Sequence, residues 1–190
     1  MNCLNNIKPE KGKALISEPF LNDLYFQRSV ILLAEHNSEG SMGFVVNKMT
    51  NLFVNSYFEQ LQSLPLIPVF LGGPVAPDHL FYIHSLGNQV PDSIEIADNL
   101  FLLGDFECIM YHLLGKQSNT NKIKFFTGYS GWSAGQLQSE IEHDTWLVSK
   151  PSSSSDMLSA EDESFWKRSV ESVGGEYLKW LNYPKNPLLN

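Results

Sequence analysis

Residues 124–149 read KFFTGYSGWSAGQLQSEIEHDTWLVS, and this stretch decides the fold because it predicts a strand, a glycine-bearing turn, a helix and a second strand in one run. Residues 122–127 supply β-branched and aromatic side chains, which favour a strand. Gly128, Gly131 and Gly135 then predict a turn, since glycine adopts backbone conformations that other residues avoid. The rest of the chain should be arranged around this run.

A capping box predicts where the helix of this stretch begins. Ser133 is followed three residues later by Gln136, so the serine hydroxyl can accept from the helix while the glutamine reaches back to the serine N–H. We expect a helix from Ala134 to about His143 and a strand over 145–149. The free N–H groups of such a helix start could bind an anion, although glycines in turns more often serve chain geometry alone.

Strand and helix signals alternate through the remaining chain. A buried strand over 30–34 and its partner over 42–47 predict a hairpin with a polar turn between them. The short link between the strands at 69–71 and 80–84 suggests that these two also pair. Further short strands are expected at 12–17, 94–96 and 100–103, and further helices at 56–64, 105–115 and 161–173. These elements predict the α/β class, as a mixed β-sheet with helices packed on it.

The length and composition are those of one folded domain. The chain has 190 residues, of which 43% are hydrophobic and 18% charged. We expect a flexible N-terminal tail over 1–11, a single domain over 12–183 and a C-terminal tail over 184–190; the serine run 151–155 is interpreted as a loop. The net charge of −8 and the scattered basic residues argue against direct binding to nucleic acid or to anionic membranes.

The N-terminus and the cysteines indicate a cytoplasmic protein. Cys3 and Cys108 are too few for a disulfide framework, the first residues lack the apolar core of a signal peptide, and no apolar run is long enough to span a membrane.

The sequence provides no strong candidate for catalysis or metal binding. His79 and His84 are separated by an odd offset on a predicted strand and should point to opposite faces, so we expect no metal and no cofactor. Ser130 and Ser133 lack the elbow spacing of a nucleophilic serine, and Cys108 lies among apolar neighbours. Paired carboxylates such as Glu140 and Glu142 are interpreted as a solvated helix face. We therefore assign no catalytic residue. Trp132 is the best candidate for an aromatic that binds a partner, with core packing as the alternative.

Four separated segments resemble one known family. RSVIL with EH over 28–36, MGFVVNK over 42–48, GGPV over 72–75 and GYSGWSAGQL over 128–137 are similar, in the same order, to the YqgE/AlgH family of bacterial proteins. The chain departs from the family pattern at Lys48, where the family has arginine, at Met49, where it has proline, and at Asp78 and His79. Lys48 keeps the charge but lacks the guanidinium fork.

The resemblance implies a mixed-sheet α/β fold and no particular reaction, because the family is largely uncharacterised and its label as a transcriptional regulator comes without a recognised DNA-binding motif. We expect a cytoplasmic regulatory or interaction module that uses an unknown protein partner or a small anionic ligand. The candidate binding residues are Arg28, His36, Asn47, Lys48, Gly72, Gly73, Tyr129, Gly131, Trp132, Ser133 and Gln136. The alternative is an enzyme acting on a small anionic or phosphorylated compound held at the turn Gly128–Gln136, with His36 as the acid or base. Direct DNA regulation is the third hypothesis, and the acidic charge argues against it.

Overall fold

One long strand, β9 (Ile123–Ser133), lies at the centre of the molecule in the computed structural model, which describes residues 7–115, 119–151 and 153–185. The strand was predicted to end at Thr127, but it continues through Gly128 and Gly131 to Ser133. The expected glycine turn is therefore mostly strand, because extended neighbours on both sides supply backbone partners along its whole length.

Ten strands form one sheet in the described part of the chain. The other strands are β1 (Ala14–Ser17), β2 (Val30–Asn37), β3 (Gly40–Val45), β4 (Met49–Phe53), β5 (Pro68–Leu71), β6 (Val75–His84), β7 (Ile94–Ala97), β8 (Leu100–Leu102) and β10 (Trp146–Ser149). Their order is β10-β1-β2-β3-β9-β6-β8-β7, with β4 paired to β5 and β5 paired to β9. Only the β5–β9 pairing is parallel among the described pairs. The predicted mixed sheet with helices packed on it is confirmed.

The β2–β3 hairpin forms as predicted, but it is longer than expected. Its strands extend to Asn37 and from Gly40, so the polar turn consists of Ser38 and Glu39 rather than residues 35–41. Polar residues at 35–37 are tolerated in the strand because this end of the hairpin faces solvent.

In the described ranges, four α-helices and five 3₁₀ segments accompany the sheet. The helices are α1 (Phe106–Leu114), α2 (Gln136–Glu142), α3 (Ser154–Ser159) and α4 (Glu163–Val173); the 3₁₀ segments are Val54–Ser56, Glu59–Leu61, Gly87–Gln89, Thr120–Lys122 and Gly175–Asn182. Asp105 caps α1, and α4 covers the predicted stretch. The short helix α3 was missed, because Ser153 acts as its N-cap within a run interpreted as a loop.

The helix predicted at 56–64 is wrong. Strand β4 ends at Phe53, and two 3₁₀ turns, Val54–Ser56 and Glu59–Leu61, follow it instead. Buried Asn55 explains the difference: its amide donates to the carbonyls of Leu61, Leu64 and Pro65, while its oxygen accepts from the N–H of Ile67. In an α-helix over 56–64, Leu64 would lie about 13 Å along the axis from Asn55, too far for this amide to reach it. The chain instead folds back on Asn55, whose side chain bonds the backbone outside a helix.

Strands β5 and β6 do not pair with each other, contrary to the prediction. Residues 125–127 of β9 pair with both, so the two strands must lie on opposite edges of β9. The link through Gly72 and Gly73 therefore crosses β9 at Gly128. Gly128 has φ +65°, and a Cβ on it would lie 2.5 Å from the carbonyl oxygen of Gly73. Glycine is needed on both sides of the crossing because a side chain on either would overlap the other backbone.

Helices and strands enclose apolar clusters on both faces of the sheet. Trp146 and Val148 join one cluster and Leu147 another, as their predicted alternation requires. Buried Trp166 of α4 packs in the same cluster as Leu147, and its indole N–H donates to the carbonyl of Ser17 at 3.0 Å. This hydrogen bond ties α4 to the end of β1.

A lysine of β9 is buried beneath α3. The side chain of Lys124 is 2% exposed, and its ammonium lies 3.8 Å from the ring centroid of Phe70. The ammonium donates to the carbonyls of Met157, Leu158 and Ala160 at the end of α3. Burial lowers the pKa of Lys124 to about 7. The lysine thus connects α3 to the central strand.

Both predicted tails lie partly outside the described residues. Of the N-terminal one, Pro9 is buried and the Lys11 ammonium donates to the carbonyl of Glu95. In the C-terminal tail, the carbonyl of Lys185 accepts from the Gln27 amide, and the Lys185 ammonium lies 3.1 Å from the Glu163 carboxylate. None of the helices in the described ranges combines the length and hydrophobicity that a bilayer crossing requires.

Candidate functional site

An open cleft of about 440 Å³ lies where the tip of the β2–β3 hairpin, the start of β6 and the end of β9 meet. It is lined by Glu35, Asn37, Glu39, Gly40, Ser41, Met42, Val75, Tyr129, Gly131 and Trp132. The register explains the meeting, since Glu35 lies opposite Met42, Met42 opposite Gly131, and Val75 opposite Tyr129. Residues opposite one another in a sheet share a face. Three separate parts of the chain thus form one surface.

Each of the four family-like segments contributes to this cleft. Glu35 comes from the first segment, Met42 from the second and Val75 from the third, while the fourth supplies Tyr129, Gly131 and Trp132. Of the predicted site residues, only Tyr129, Gly131 and Trp132 line it. Glu35, Asn37, Glu39, Met42 and Val75 were not predicted. The register between β2, β3 and β9 brings Glu35 and Met42 beside Gly131, and no local sequence pattern gives that register.

Gly131 keeps the floor of the cleft open. Its backbone does not have the positive φ that requires glycine, and a Cβ would meet only side-chain atoms, at 3.3 Å from Cε2 of Tyr129 and 3.6 Å from Cγ2 of Val75. Gly128, three residues earlier, is required by both its φ and the close crossing. The backbone therefore explains Gly128 but not Gly131. What the missing side chain leaves at Gly131 is space between Tyr129 and Val75.

Gly72 and Gly73 belong to the crossing rather than to the cleft surface. The carbonyl of Gly72 accepts from the Ser130 hydroxyl and from the N–H of Val45, both at 3.0 Å. Their backbone thus connects β3, β5 and β9 beneath the site.

The polar part of the cleft is acidic. Glu35 and Glu39 supply carboxylates, and Asn37 lies between them, donating to Glu35 at 2.6 Å and accepting from the N–H of Glu39 at 2.8 Å. The described lining contains no lysine or arginine. A negative field of this kind favours a cationic group over an anionic one.

His36 lies beside this surface without lining it. It alternates with Glu35 and Asn37 along β2 and so points to the other face of the hairpin, where its Nδ1 lies 2.7 Å from the hydroxyl of Ser41. His36 thus reaches the cleft only through Ser41, which lines it, and the acid or base role of His36 stays a prediction.

Trp132 is largely a core residue. Its side chain is 7% exposed, packs edge-on against Trp146 with 6.0 Å between ring centroids, and donates from its indole N–H to Glu140 at 2.8 Å. Trp146 donates to the same carboxylate oxygen at 2.7 Å, and Gln136 donates to the other oxygen. Glu140 was expected to face solvent. The structure instead makes it the common acceptor for both indoles, which no local sequence pattern indicates.

The predicted helix cap at Ser133 is wrong in part. Helix α2 begins at Gln136, with Gly135 as its N-cap at φ +74°. The Gln136 oxygen does accept from the N–H of Ser133, as a capping box requires, but the Ser133 hydroxyl donates to that same oxygen instead of accepting from the helix. Helix α2 spans only seven residues, and the side chain of Gln136, its first residue, folds back over this turn. Binding of an anion at the turn stays a prediction.

Arg28, Asn47 and Lys48 gather at a different place, around the start of α4. Buried Arg28 pairs with Glu163 and donates to the carbonyl of Tyr183 at 2.6 Å. Asn47 accepts from the N–H of Val30 at 2.8 Å and donates to the carbonyls of Arg28 and Asp162. These contacts hold α4 and the C-terminal segment to the sheet.

Lys48 completes this second group. Its ammonium donates to the carbonyl of Leu24 at 2.8 Å, and burial, with the nearby Lys185 charge, lowers its pKa to about 8. Its single hydrogen bond to a carbonyl requires no guanidinium fork, which accounts for lysine at this position.

The titratable groups outside these two places do not form a metal site. In the described ranges, no three histidine, cysteine, aspartate or glutamate residues are grouped to hold an ion. Buried His84 bonds the carbonyl of Leu103 at 3.0 Å and stacks on Phe101, and burial lowers its pKa.

The fold and the cleft define a small mixed-sheet protein with one open, acidic surface built from four separated segments. The chain belongs to the AlgH-like family, whose model matches residues 14–178. A UPF0301 protein of Parabacteroides distasonis is 51% identical over 187 residues, which cover 98% of this chain and 94% of the relative. A UPF0301 protein of Bacteroides thetaiotaomicron is 42% identical over 186 residues, covering 98% and 94%.

Two solved structures share the fold. The solution structure of the AlgH protein from Pseudomonas aeruginosa matches with a TM-score of 0.69 and 27% identity, covering 94% of this chain and 98% of that one. A crystal structure of a Corynebacterium diphtheriae protein matches with a TM-score of 0.76 over 94% of this chain and 95% of that one. At 19% identity, this second match supports the fold alone.

Proposed function

We propose that this protein is a non-enzymatic, cytoplasmic regulatory module that binds a partner protein in the cleft. The observation that carries the proposal is Gly131, because its missing side chain opens the floor of a cleft to which all four family-like segments contribute. Neither its φ nor the surrounding backbone accounts for glycine there. Selection for an open surface does account for it, and open surfaces of this kind serve recognition.

The predicted site residues divide into two roles under this proposal. Tyr129 and Gly131 form the binding surface, together with lining residues such as Glu35, and the largely buried Trp132 lines this surface while packing in the core. The others support the fold around that surface: Arg28, His36, Asn47, Lys48, Gly72, Gly73, Ser133 and Gln136. Any effect on transcription is proposed to act through the partner, since the net charge of −8 and the acidic cleft oppose contact with nucleic acid.

Affinity capture from an extract of the source bacterium tests the proposal. The immobilised wild-type protein is compared with Gly131→Leu, which fills the cleft, and with Ala134→Leu, which adds a similar apolar side chain at an exposed position outside the lining. Circular dichroism and thermal unfolding first establish that both variants fold. We expect at least one protein that the wild type and Ala134→Leu retain and Gly131→Leu loses. The same captured set from all three would refute the proposal.

The alternative enzyme acting on an anionic compound has a separate test. A thermal-shift screen with nucleotides and phosphorylated metabolites should give no hit at the cleft, because its charged lining side chains are carboxylates. A phosphorylated compound that raises the melting temperature of the wild type, but not of Gly131→Leu, would replace the partner-protein proposal with the enzyme hypothesis.

A further inference from the structure

The two sides of the cleft differ in chemistry. On the hairpin side, Glu35 and Glu39 present carboxylates at exposed positions. On the β6 side, Val75 and the half-buried ring of Tyr129 present apolar surface, and the side chain of Val75 is 38% exposed. With no cationic side chain in the described lining, these carboxylates have no charge partner across the cleft. A cationic group beside an apolar one would complement this lining.

A strand edge lies in the floor of the cleft. Strand β6 pairs with β9 only as far as Val75, which lies opposite Tyr129. Beyond that point β9 continues to Ser133 with β3 on one side, and no strand of the described chain pairs with its other side; the N–H of Ser133 donates to the Gln136 side chain. Exposed edges of this kind accept an added strand, which supplies main-chain hydrogen bonds to an extended peptide. An edge favours a peptide over a compact cation.

We infer that the cleft binds an extended peptide segment of the partner protein in which a lysine or arginine lies beside an aliphatic residue. The basic side chain would lie against Glu35 and Glu39, and the aliphatic one against Val75 and Tyr129. The cleft volume of about 440 Å³ accommodates such a pair of side chains. Complementary charge would fix the direction of the peptide and speed its association. This inference deepens the proposed function and rests on it.

Two labelled hexapeptides test the inference by fluorescence polarisation. One alternates valine with lysine, and the other alternates valine with glutamate. We expect the lysine peptide to bind the wild-type protein at least tenfold more tightly, with an affinity that falls as salt rises. Gly131→Leu should abolish this binding. The double variant Glu35→Gln/Glu39→Gln should weaken it about three- to tenfold, as expected for two exposed ion pairs.

A matched control separates local charge from net charge. Glu142→Gln/Glu171→Gln changes the net charge by the same amount at exposed positions outside the cleft and should leave the affinity unchanged. Equal loss in both double variants would overturn the inference, because the binding would then follow net charge alone. Failure of the lysine peptide to bind would also overturn it, as would displacement by free spermidine at concentrations equal to those of the peptide.

The two proposals fail separately. If Gly131→Leu loses a cellular partner while the lysine peptide does not bind, the proposed function stands and the basic-peptide inference is wrong. If Gly131→Leu retains every cellular partner, the cleft is not the interaction site, and the proposed function fails whatever the peptides do.

Discussion

The buried Lys124 should make the stability of this protein depend on pH in a defined window. Its pKa is lowered by burial from 10.5 to about 7 in the folded protein. Between these values the unfolded chain holds the Lys124 proton and the folded chain does not, so the unfolded state binds more protons. The free energy of unfolding therefore rises with pH across this window, and below about pH 7 the lysine adds no further dependence.

The expected size follows from the shift. Each pKa unit corresponds to about 1.4 kcal/mol, so the full effect from acidic pH to above about pH 10.5 is on the order of 5 kcal/mol. The part that falls between pH 7 and pH 9 is about 2 kcal/mol. Measurements above about pH 10 are less useful for isolating Lys124. Burial raises the pKa of Tyr82 to about 12, so the titration of Tyr82 there makes the free energy of unfolding fall as pH rises.

Urea unfolding at pH 7, 8 and 9 measures this dependence in the wild type, in Lys124→Met and in Lys122→Met. Lys122 is exposed and lies two residues away, so its variant should keep the wild-type slope. Lys124→Met removes the titrating group and should flatten the slope by about 2 kcal/mol over this range, whatever its effect on absolute stability. Lys48, with a pKa of about 8, is present in all three proteins and cancels from the comparison.

The result that would refute this reasoning is an equal slope in the wild type and in Lys124→Met. Lys124 would then titrate near 10.5 in the folded protein, which requires water at its ammonium and an open contact between α3 and β9.

Three further predictions concern single contacts, each measured by urea or thermal unfolding. Gly128→Ala should destabilise the protein by about 2 kcal/mol or more, because residue 128 has φ +65° and its Cβ would meet the Gly73 carbonyl. Gly131→Ala should change the stability by less than about 1 kcal/mol. Equal effects would contradict the distinction between the two glycines. Glu140→Gln should lower the free energy of unfolding by about 1–2 kcal/mol and shift the tryptophan fluorescence, because one acceptor of the indole N–H groups is lost. An unchanged spectrum would place Trp132 and Trp146 elsewhere. Arg28→Lys should lower the free energy of unfolding by about 2–4 kcal/mol, since lysine cannot reach both Glu163 and the Tyr183 carbonyl. Lys167 is exposed and lies 3.9 Å from Glu163, so Lys167→Met should lower it by less than about 0.5 kcal/mol. Similar losses in both variants would show that Arg28 contributes only surface charge.

Local patterns in the sequence predicted several elements correctly. Asp105 caps α1, the hydrophobic stripe of α4 lies where expected, and the β2–β3 hairpin forms. These features depend on residues close together in the chain, whose physical preferences can be interpreted directly. The family resemblance was carried by four short segments and is confirmed over residues 14–178.

The rest depends on contacts between distant parts of the chain. Gly128 was predicted to end a strand, yet it lies within one. Glycine is required there because the backbone of Gly73, far away in the sequence, crosses β9 at that point. Asn55 replaces a helix with two 3₁₀ turns by bonding carbonyls six to ten residues away. The division of the predicted site residues into a cleft and a group around Glu163 also follows from strand order, which periodicity alone does not determine.

The position of β9 has a consequence for how the protein is made. Before residues 123–133 leave the ribosomal exit tunnel, the chain can form three separate pieces: β1–β2–β3, β4–β5 and β6–β8–β7. Each piece has an unpaired edge that pairs with β9 in the described fold, so a nascent chain that has emerged only as far as residue 122 exposes three unpaired sheet edges at once. A nascent chain stalled there should bind chaperones strongly, and release from them should coincide with the emergence of β9 from the exit tunnel.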